Sequence, residues 1–425
     1  MVKLVFLRLR ALSCTQLQLG TTLNELLTQY LPQWAVFVTV ALIGAGLLIS
    51  FIGVSTLMYI WAERKISGRM QDRLGPSRVG PFGLLQSLAD GIKLINKEDF
   101  APDAADKFLF HMAPYLAFCA AFTGFIALPF GMGLVAHEVN IAAFFMLAVL
   151  SSEVFGVMLA GYASGSKWSL IGGVREAAQV VSYEVPRSIC VVIPVCLTGT
   201  LNLNTIGQQQ TGWFWDWNLF HDPFTFLAFF IFFITATASC KRAPFDLAEA
   251  ESELVAGFHT EYSGLRWSFF FLAEYASMFA VSGLATLLFL GGWHCGFLPF
   301  EPTERFGFWL GSAINATVFI TKASGLVIVM MWMRWSLPRL RIDQVMMTCL
   351  KYFLPISCGL LVAVCVWLLY MPSPIALILR YTLAGGSVLF VLGVLVSLLV
   401  TKSDIPRGEL PGVWAKTRAP GTITG

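Results

Sequence analysis

The stretch from Lys241 to Arg266 holds the densest chemistry in the chain. It reads KRAPFDLAEAESELVAGFHTEYSGLR and supplies Asp246, Glu249, Glu251, Glu253 and Glu261. On a helix, Glu249 and Glu253 would share a face, with Glu251 roughly opposite. Like charges at that spacing oppose a helix unless solvent, cations or protons relieve them. Carboxylates crowded in a poorly solvated place hold protons with raised, coupled affinities, which is the requirement for a proton-accepting site. A solvated acidic loop on a membrane surface has the same composition. The residues alone leave both readings open.

Five further ionisable groups, Glu153, Glu184, Arg187, Glu274 and Lys322, lie inside long apolar runs. An unpaired charge at the centre of a bilayer costs several kcal/mol, so each calls for a partner or a role. Glu184 and Arg187 are three apart and can neutralise one another on one face. Glu153 and Glu274 have no partner in the same turn, which favours a proton relay or a pairing with another helix. Lys322 reads as an interhelical partner or as a snorkelling side chain.

The elements that must hold these groups follow from composition. The chain has 425 residues, 57% hydrophobic and only 12% charged, with a mean hydropathy of +0.72. Soluble domains are about one quarter charged, so a water-soluble enzyme is excluded, and so is a disordered chain. A net charge of +3 with no basic run interleaved with aromatics gives no nucleic-acid partner. The expected fold is all-α and polytopic. Runs of about 20 apolar residues cover Trp34–Ile60, Phe108–Met132, Ile141–Tyr162, Ala177–Thr200, Pro223–Cys240, Trp267–Leu290, Phe308–Met333 and Tyr352–Tyr370, and Ile375–Val400 adds a ninth span. This divides the chain into an extension at 1–33, an eight-span membrane domain at 34–370, an extra span at 371–400 and a polar cytoplasmic tail at 401–425. No internal repeat is visible, which gives an inverted-repeat transporter no support.

Basic residues set the expected orientation. Arg64, Lys65, Arg69, Arg73, Arg78, Lys93, Lys97 and Lys107 follow the first span. Lys167 and Arg175, then Lys241, Arg242 and Arg266, then Arg334, Arg339, Arg341 and Lys351 occupy the later loops of that side, whereas the opposite loops between spans hold only Arg305. The positive-inside rule makes the rich side cytoplasmic and the N-terminus external. Within the first loop, Phe82–Ile95 reads as a short amphipathic helix lying at the interface. Cys14, Cys119, Cys190, Cys196, Cys240, Cys295, Cys349, Cys358 and Cys365 form no Cys-x-x-Cys pair and no Cys/His cluster, so no metal or iron–sulfur cluster is expected on this chain. Gly44 and Gly46 lie within a span and open no phosphate-binding turn, so no nucleotide site is expected either.

Several segments resemble one family: AERKISGRMQDRLGPSRVGPFGLLQSLADGIKLINKED (62–99), SLIGGVREAAQVVSYEVP (169–186), RAPFDLAEAESELVAGFHTEYSG (242–264), FFLAEYASM (270–278) and RWSLPRLRIDQVM (334–346). They are similar to the H subunit of the proton-pumping NADH:quinone oxidoreductase, the bacterial form of subunit 1 of respiratory complex I. Departures are Ser77 where the family has Asn, Ala248 where it has Pro, Glu153 where many relatives have a small residue, and the ninth span. The resemblance implies a subunit with no catalytic set in isolation, in the inner membrane of a bacterium. Its partners would be the other membrane subunits, the peripheral iron–sulfur subunits and lipid, and its substrate would be a quinone. It implies a quinone chamber near Glu63, Arg64, Lys65, Arg69, Arg78, Phe245 and Asp246. It also implies a proton path through Glu249, Glu251, Glu253 and Glu261 to Glu184 and Glu274, with Glu153 and Arg187 nearby. Two other classes compete, the membrane subunit of an energy-converting hydrogenase and a stand-alone ion transporter.

Overall fold

The computed structural model describes residues 32–297 and 301–400. The extension expected at 1–33 and the tail expected at 401–425 lie almost wholly outside them. Among the described residues eight helices are long and apolar enough to cross a membrane, and Pro223–Ser239 is a ninth, shorter apolar helix. The all-α polytopic expectation holds.

The principal helices are α1 (Gln33–Met70), α2 (Gln86–Asn96), α3 (Lys107–Ile126), α4 (Ala142–Ala163), α5 (Lys167–Thr198), α6 (Pro223–Ser239), α7 (Gly264–Phe289), α8 (Phe308–Ser336), α9 (Ile342–Tyr370) and α10 (Ser373–Val400). Helix α7 is the hub, with 89% of its apolar window buried, and it packs on α3, α8, α1, α6 and α2. Phe279 at its middle stacks on Phe125 and meets Phe51 and Phe319 edge-on.

Lipid is as apolar as leucine, so helices in a membrane associate through close backbone approach at small residues. Gly156 of α4 illustrates this: a Cβ there would sit 2.6 Å from the Ala117 amide nitrogen of α3. Gly172 of α5 plays the same part against the acidic segment, where a Cβ would meet the Ala248 oxygen and the Phe258 nitrogen at 2.9 Å. Helix α10 is peripheral, with only 6% of its window buried.

Three boundaries differ from the sequence reading. Helix α1 runs on to Met70, so Glu63, Arg64, Lys65 and Arg69 are helical and not part of a loop. Helix α5 begins at Lys167, which puts Glu176 inside the bundle. Helix α9 begins at Ile342 and passes through a π turn at Met347–Phe353. The reason is common to all three: apolar-run arithmetic stops at the first charge, whereas the helix continues as long as its charges find partners. The amphipathic helix expected at 82–95 is present as α2, preceded by a 3₁₀ turn at Pro81–Gly83.

Candidate functional site

The site is a set of buried ion pairs at the basic end of the bundle. Its organiser is the turn after α6. Lys241 adopts φ 54°, a left-handed conformation that costs an L-residue about 1 kcal/mol. The turn sends the adjacent Lys241 and Arg242 to different partners, and those contacts hold it in place.

Arg242 is buried and reaches both oxygens of Glu63 at 3.1 Å with one Nη. Its Nε lies 2.5 Å from Glu274 Oε1, and its guanidinium covers the Tyr275 ring at 4.4 Å. Glu63 also accepts from Arg334 at 2.5 Å and from the Tyr275 hydroxyl at 2.5 Å. Helices α1, α7 and α8 thus meet at one charge cluster. Burial opposes the Arg242 charge, but Glu274 and Glu63 outweigh it and hold its pKa well above the ordinary value.

Lys241 Nζ donates to Glu153 Oε1 at 2.7 Å, and Ser277 Oγ donates to Glu153 Oε2 at 2.5 Å. Burial opposes the Lys241 charge, yet the neighbouring Glu153 raises its pKa beyond the usual range. Glu176 is fully buried.

The acidic segment does not form the expected helix. Only Glu251–Leu254 is helical, so Glu249 and Glu253 do not share a face. Residues 245–250 are held instead as a buried loop by the close approach of α5 at Gly172. Arg339 donates to Asp246 at 3.0 Å. Burial, then the neighbouring Glu249, push the Asp246 carboxyl up. Glu249 lies 2.8 Å from His259 Nε2. Burial opposes its charge, but His259, Arg242 and Lys241 prevail and bring its pKa down to about 2. Glu253 is half exposed, at 49%, and pairs with Arg175 at 2.5 Å. Glu261 is half-buried. The Glu251 side chain lies outside the described ones.

The remaining expected residues divide as follows. Glu184 and Arg187 are paired at 3.4 Å, and Ser151 bonds to both. Arg64 turns away from Glu63 to Asp90 of α2. Arg69 and Arg78 are exposed, and Lys65 is half-buried. Phe245 packs into a small core with Tyr183, Leu247 and Val345. Lys322 is an interhelical partner, donating to the carbonyls of Leu290 at 2.6 Å and His294 at 2.5 Å, with Trp217 beneath its ammonium. The sequence reading missed Glu176, Tyr275 and His259, and it took Lys241, Arg242, Arg334 and Arg339 as topology signals only. The pair of adjacent bases just before five carboxylates was the available signal. Among the described residues no group of His, Cys, Asp and Glu is arranged to hold a metal ion.

A crevice of about 310 Å³ opens beside this network. Its walls are Thr56, Leu57, Ile60 and Arg64 of α1, Ser87, Asp90, Gly91, Lys93 and Leu94 of α2, and Trp267, Ser268, Phe271 and Leu272 of α7. Phe271 packs edge-on against Tyr275 with ring centroids 4.9 Å apart, and the Tyr275 hydroxyl bonds to Glu63. The crevice wall is therefore connected through two packed aromatic rings to a buried carboxylate.

Fold and site together define a polytopic helical membrane protein with a network of buried charges among its spans. A family model described as NADH dehydrogenase matches residues 43–365. The NADH-quinone oxidoreductase H subunit of Anaeromyxobacter dehalogenans is 41% identical over 347 residues, covering 79% of this chain and 83% of its own. The protein of that name from Chlorobaculum tepidum is 44% identical over 328 residues (76% and 91%). That from Bacteroides thetaiotaomicron is 40% identical over 355 residues (81% and 96%). The chain belongs to this family of membrane subunits of NADH-quinone oxidoreductase.

Proposed function

We propose that the chain forms the quinone-access chamber of a proton-translocating NADH-quinone oxidoreductase and the first part of its proton path. The observation that carries this reading is the crevice between α1, α2 and α7 and its aromatic connection to Glu63. A long-tailed quinone is apolar with a polar head. It would leave the lipid between these helices, with its tail along Leu57, Ile60 and Leu272 and its head moving towards the Glu63–Arg242–Arg334 cluster. Reduction of a quinone to a quinol consumes two electrons and two protons. The electrons come from peripheral iron–sulfur partners, since no redox ligand set is expected on this chain. The arriving charge alters the proton affinity of nearby carboxylates, because unit charges a few ångströms apart interact strongly where water is scarce. Asp246 and Glu249 are the nearest such groups in the loop, and Glu153, Glu274 and Glu184 continue into the spans.

The same reading takes 34–370 as the functional membrane domain and 371–400 as an addition to it. It orients the N-terminus outwards across a bacterial inner membrane. The names of the relatives favour it over the hydrogenase and transporter alternatives.

The test is labelling of the intact complex in native membranes with a photoreactive quinone analogue. Adducts on segments 56–64 and 267–272, suppressed by excess quinone, are expected. Competable adducts confined to other segments of the complex would overturn the chamber assignment.

A further inference from the structure

We propose that Glu176 is a proton-holding carboxyl group standing between the Asp246/Glu249 loop and the Glu153–Lys241 pair. The proposal rests on the proton-path reading above and adds to it a residue outside the expected path. Glu176 lies in α5 with its side chain fully buried, and neither carboxylate oxygen has a hydrogen-bond partner. The charged groups that act on it are Lys241, Glu153, Glu249 and Asp246, and Tyr183 lies further along the same helix.

Two independent countings point to a missing proton. The first is of charge. Asp246 has Arg339, Glu249 has His259, and Glu63 and Glu274 share Arg242 and Arg334. Lys241 is spent on Glu153, whose second oxygen already accepts from Ser277. Glu176 is the carboxyl left over, and an uncompensated buried carboxylate neutralises by taking up a proton. The second counting is of donors. Gln179 is three residues on and shares the face of Glu176. Its amide nitrogen is committed to the carbonyls of Ala238 and Phe245, both at 2.9 Å, while its Oε1 has no donor. The face therefore presents three buried acceptor oxygens and nothing to satisfy them. A proton on Glu176 converts one acceptor into a donor.

The step is a proton transfer only. A proton arriving from the loop side converts the Glu176 carboxylate to the acid. Its departure towards Glu153 restores the carboxylate, with the Lys241 ammonium close by to balance the charge. No electron moves, and Lys241 keeps its protons.

The experiment uses the intact complex carrying Glu176→Gln, with redox-difference infrared spectra and quinone-driven proton pumping as readouts. A carboxylic-acid C=O band present in wild type should vanish, and pumping should fall about tenfold or more. NADH oxidation by an artificial acceptor and the KM for quinone should stay unchanged. An unaltered band, or pumping within about twofold of wild type, overturns the proposal. If the Gln variant fails to assemble, Glu176→Asp decides: the acid band should persist but shift, and an unmoved band overturns the proposal. Glu249→Gln separates the two levels of the argument. Impaired pumping there with normal pumping in Glu176→Gln sinks only the role of Glu176, whereas normal pumping in both removes the proton path as well.

Discussion

Arg242 grips both oxygens of Glu63 at 3.1 Å, although the two residues stand 179 positions apart. The same guanidinium reaches Glu274 at 2.5 Å. One side chain therefore links α1 to α7 by pairing with a carboxyl from each, and Arg334 supplies the second positive charge at Glu63. A planar fork with fixed donor geometry suits that task, and an ammonium does not.

Arg242→Ala should destabilise the subunit by about 3–5 kcal/mol, because removing one partner of a buried ion network strands the others. Arg242→Lys should fall between wild type and Ala. Thermal unfolding of the purified complex, followed by release of this subunit, measures the effect. A stability within about 1 kcal/mol of wild type for the Ala variant would mean that the pairing contributes no more than an exposed one.

Glu249→Gln should impair quinone-linked proton uptake far more than Glu253→Gln. Both acids stand on the path that the family resemblance implies, and the geometry separates them. Glu249 is only 24% exposed and bonded to His259, whereas Glu253 is 49% exposed and bonded to Arg175. Exposed pairs are worth about 0–1 kcal/mol. Proton uptake on quinone reduction in the two variants, in matched membranes, is the measurement.

The spans, the amphipathic α2 and the acids set within apolar runs were legible because hydrophobic run length and charge position are local properties. The pairings were not. Lys241 meets Glu153 across 88 positions and Arg334 meets Glu63 across 271, and nothing in periodicity encodes such a match. Glu176 escapes a reading that starts the apolar run at Ala177, because the helix starts at Lys167. The helix face expected for Glu249 and Glu253 fails for a tertiary reason: α5 passes so close at Gly172 that the segment is held as a buried loop.

Stability should fall with acid in a window set by Glu249. Its folded pKa of about 2 lies below the ordinary value of 4.5. Its contribution is thus fully present above about pH 4.5 and is lost as pH drops towards 2. The shift corresponds to about 3 kcal/mol. His259→Gln removes the chief opponent of burial, so the window narrows from its lower end: the acid-side loss should finish at higher pH and be smaller in extent. Unfolding followed between pH 5 and pH 2 in both forms checks the sign, and identical profiles would refute the link to His259.

Loss of α10 should leave the machinery intact. The helix is bound through Arg380 to Asp216 at 3.2 Å and through Tyr381 edge-on to Trp215. Its apolar window is almost wholly outside the bundle. A chain ended after Tyr370 should assemble and support quinone reduction within about twofold of wild type, since a partly exposed pair contributes about 1 kcal/mol or less. Failure to assemble would make α10 part of a subunit contact.

Lys322 should prove a clamp for the turn that follows α7. Its ammonium accepts no hydrogen bonds and offers three donors, which meet the carbonyls of Leu290, Gly292 and His294 at 2.6, 3.3 and 2.5 Å. Those carbonyls include orphans of a helix C-terminus, where a cation is favoured. The buried His294 imidazole faces the same ammonium and is held down at about 4, by burial first and Lys322 second, so it stays neutral and does not compete for the carbonyls. Lys322→Met keeps the volume and deletes the donors. Leaving buried acceptors unmet costs about 1–3 kcal/mol. Hydrogen exchange of residues 290–297 should accelerate while exchange at the Glu63–Arg242 cluster stays the same. Equal acceleration at both would mean that Lys322 stabilises the bundle as a whole, and no change at 290–297 would mean that the carbonyls find water instead.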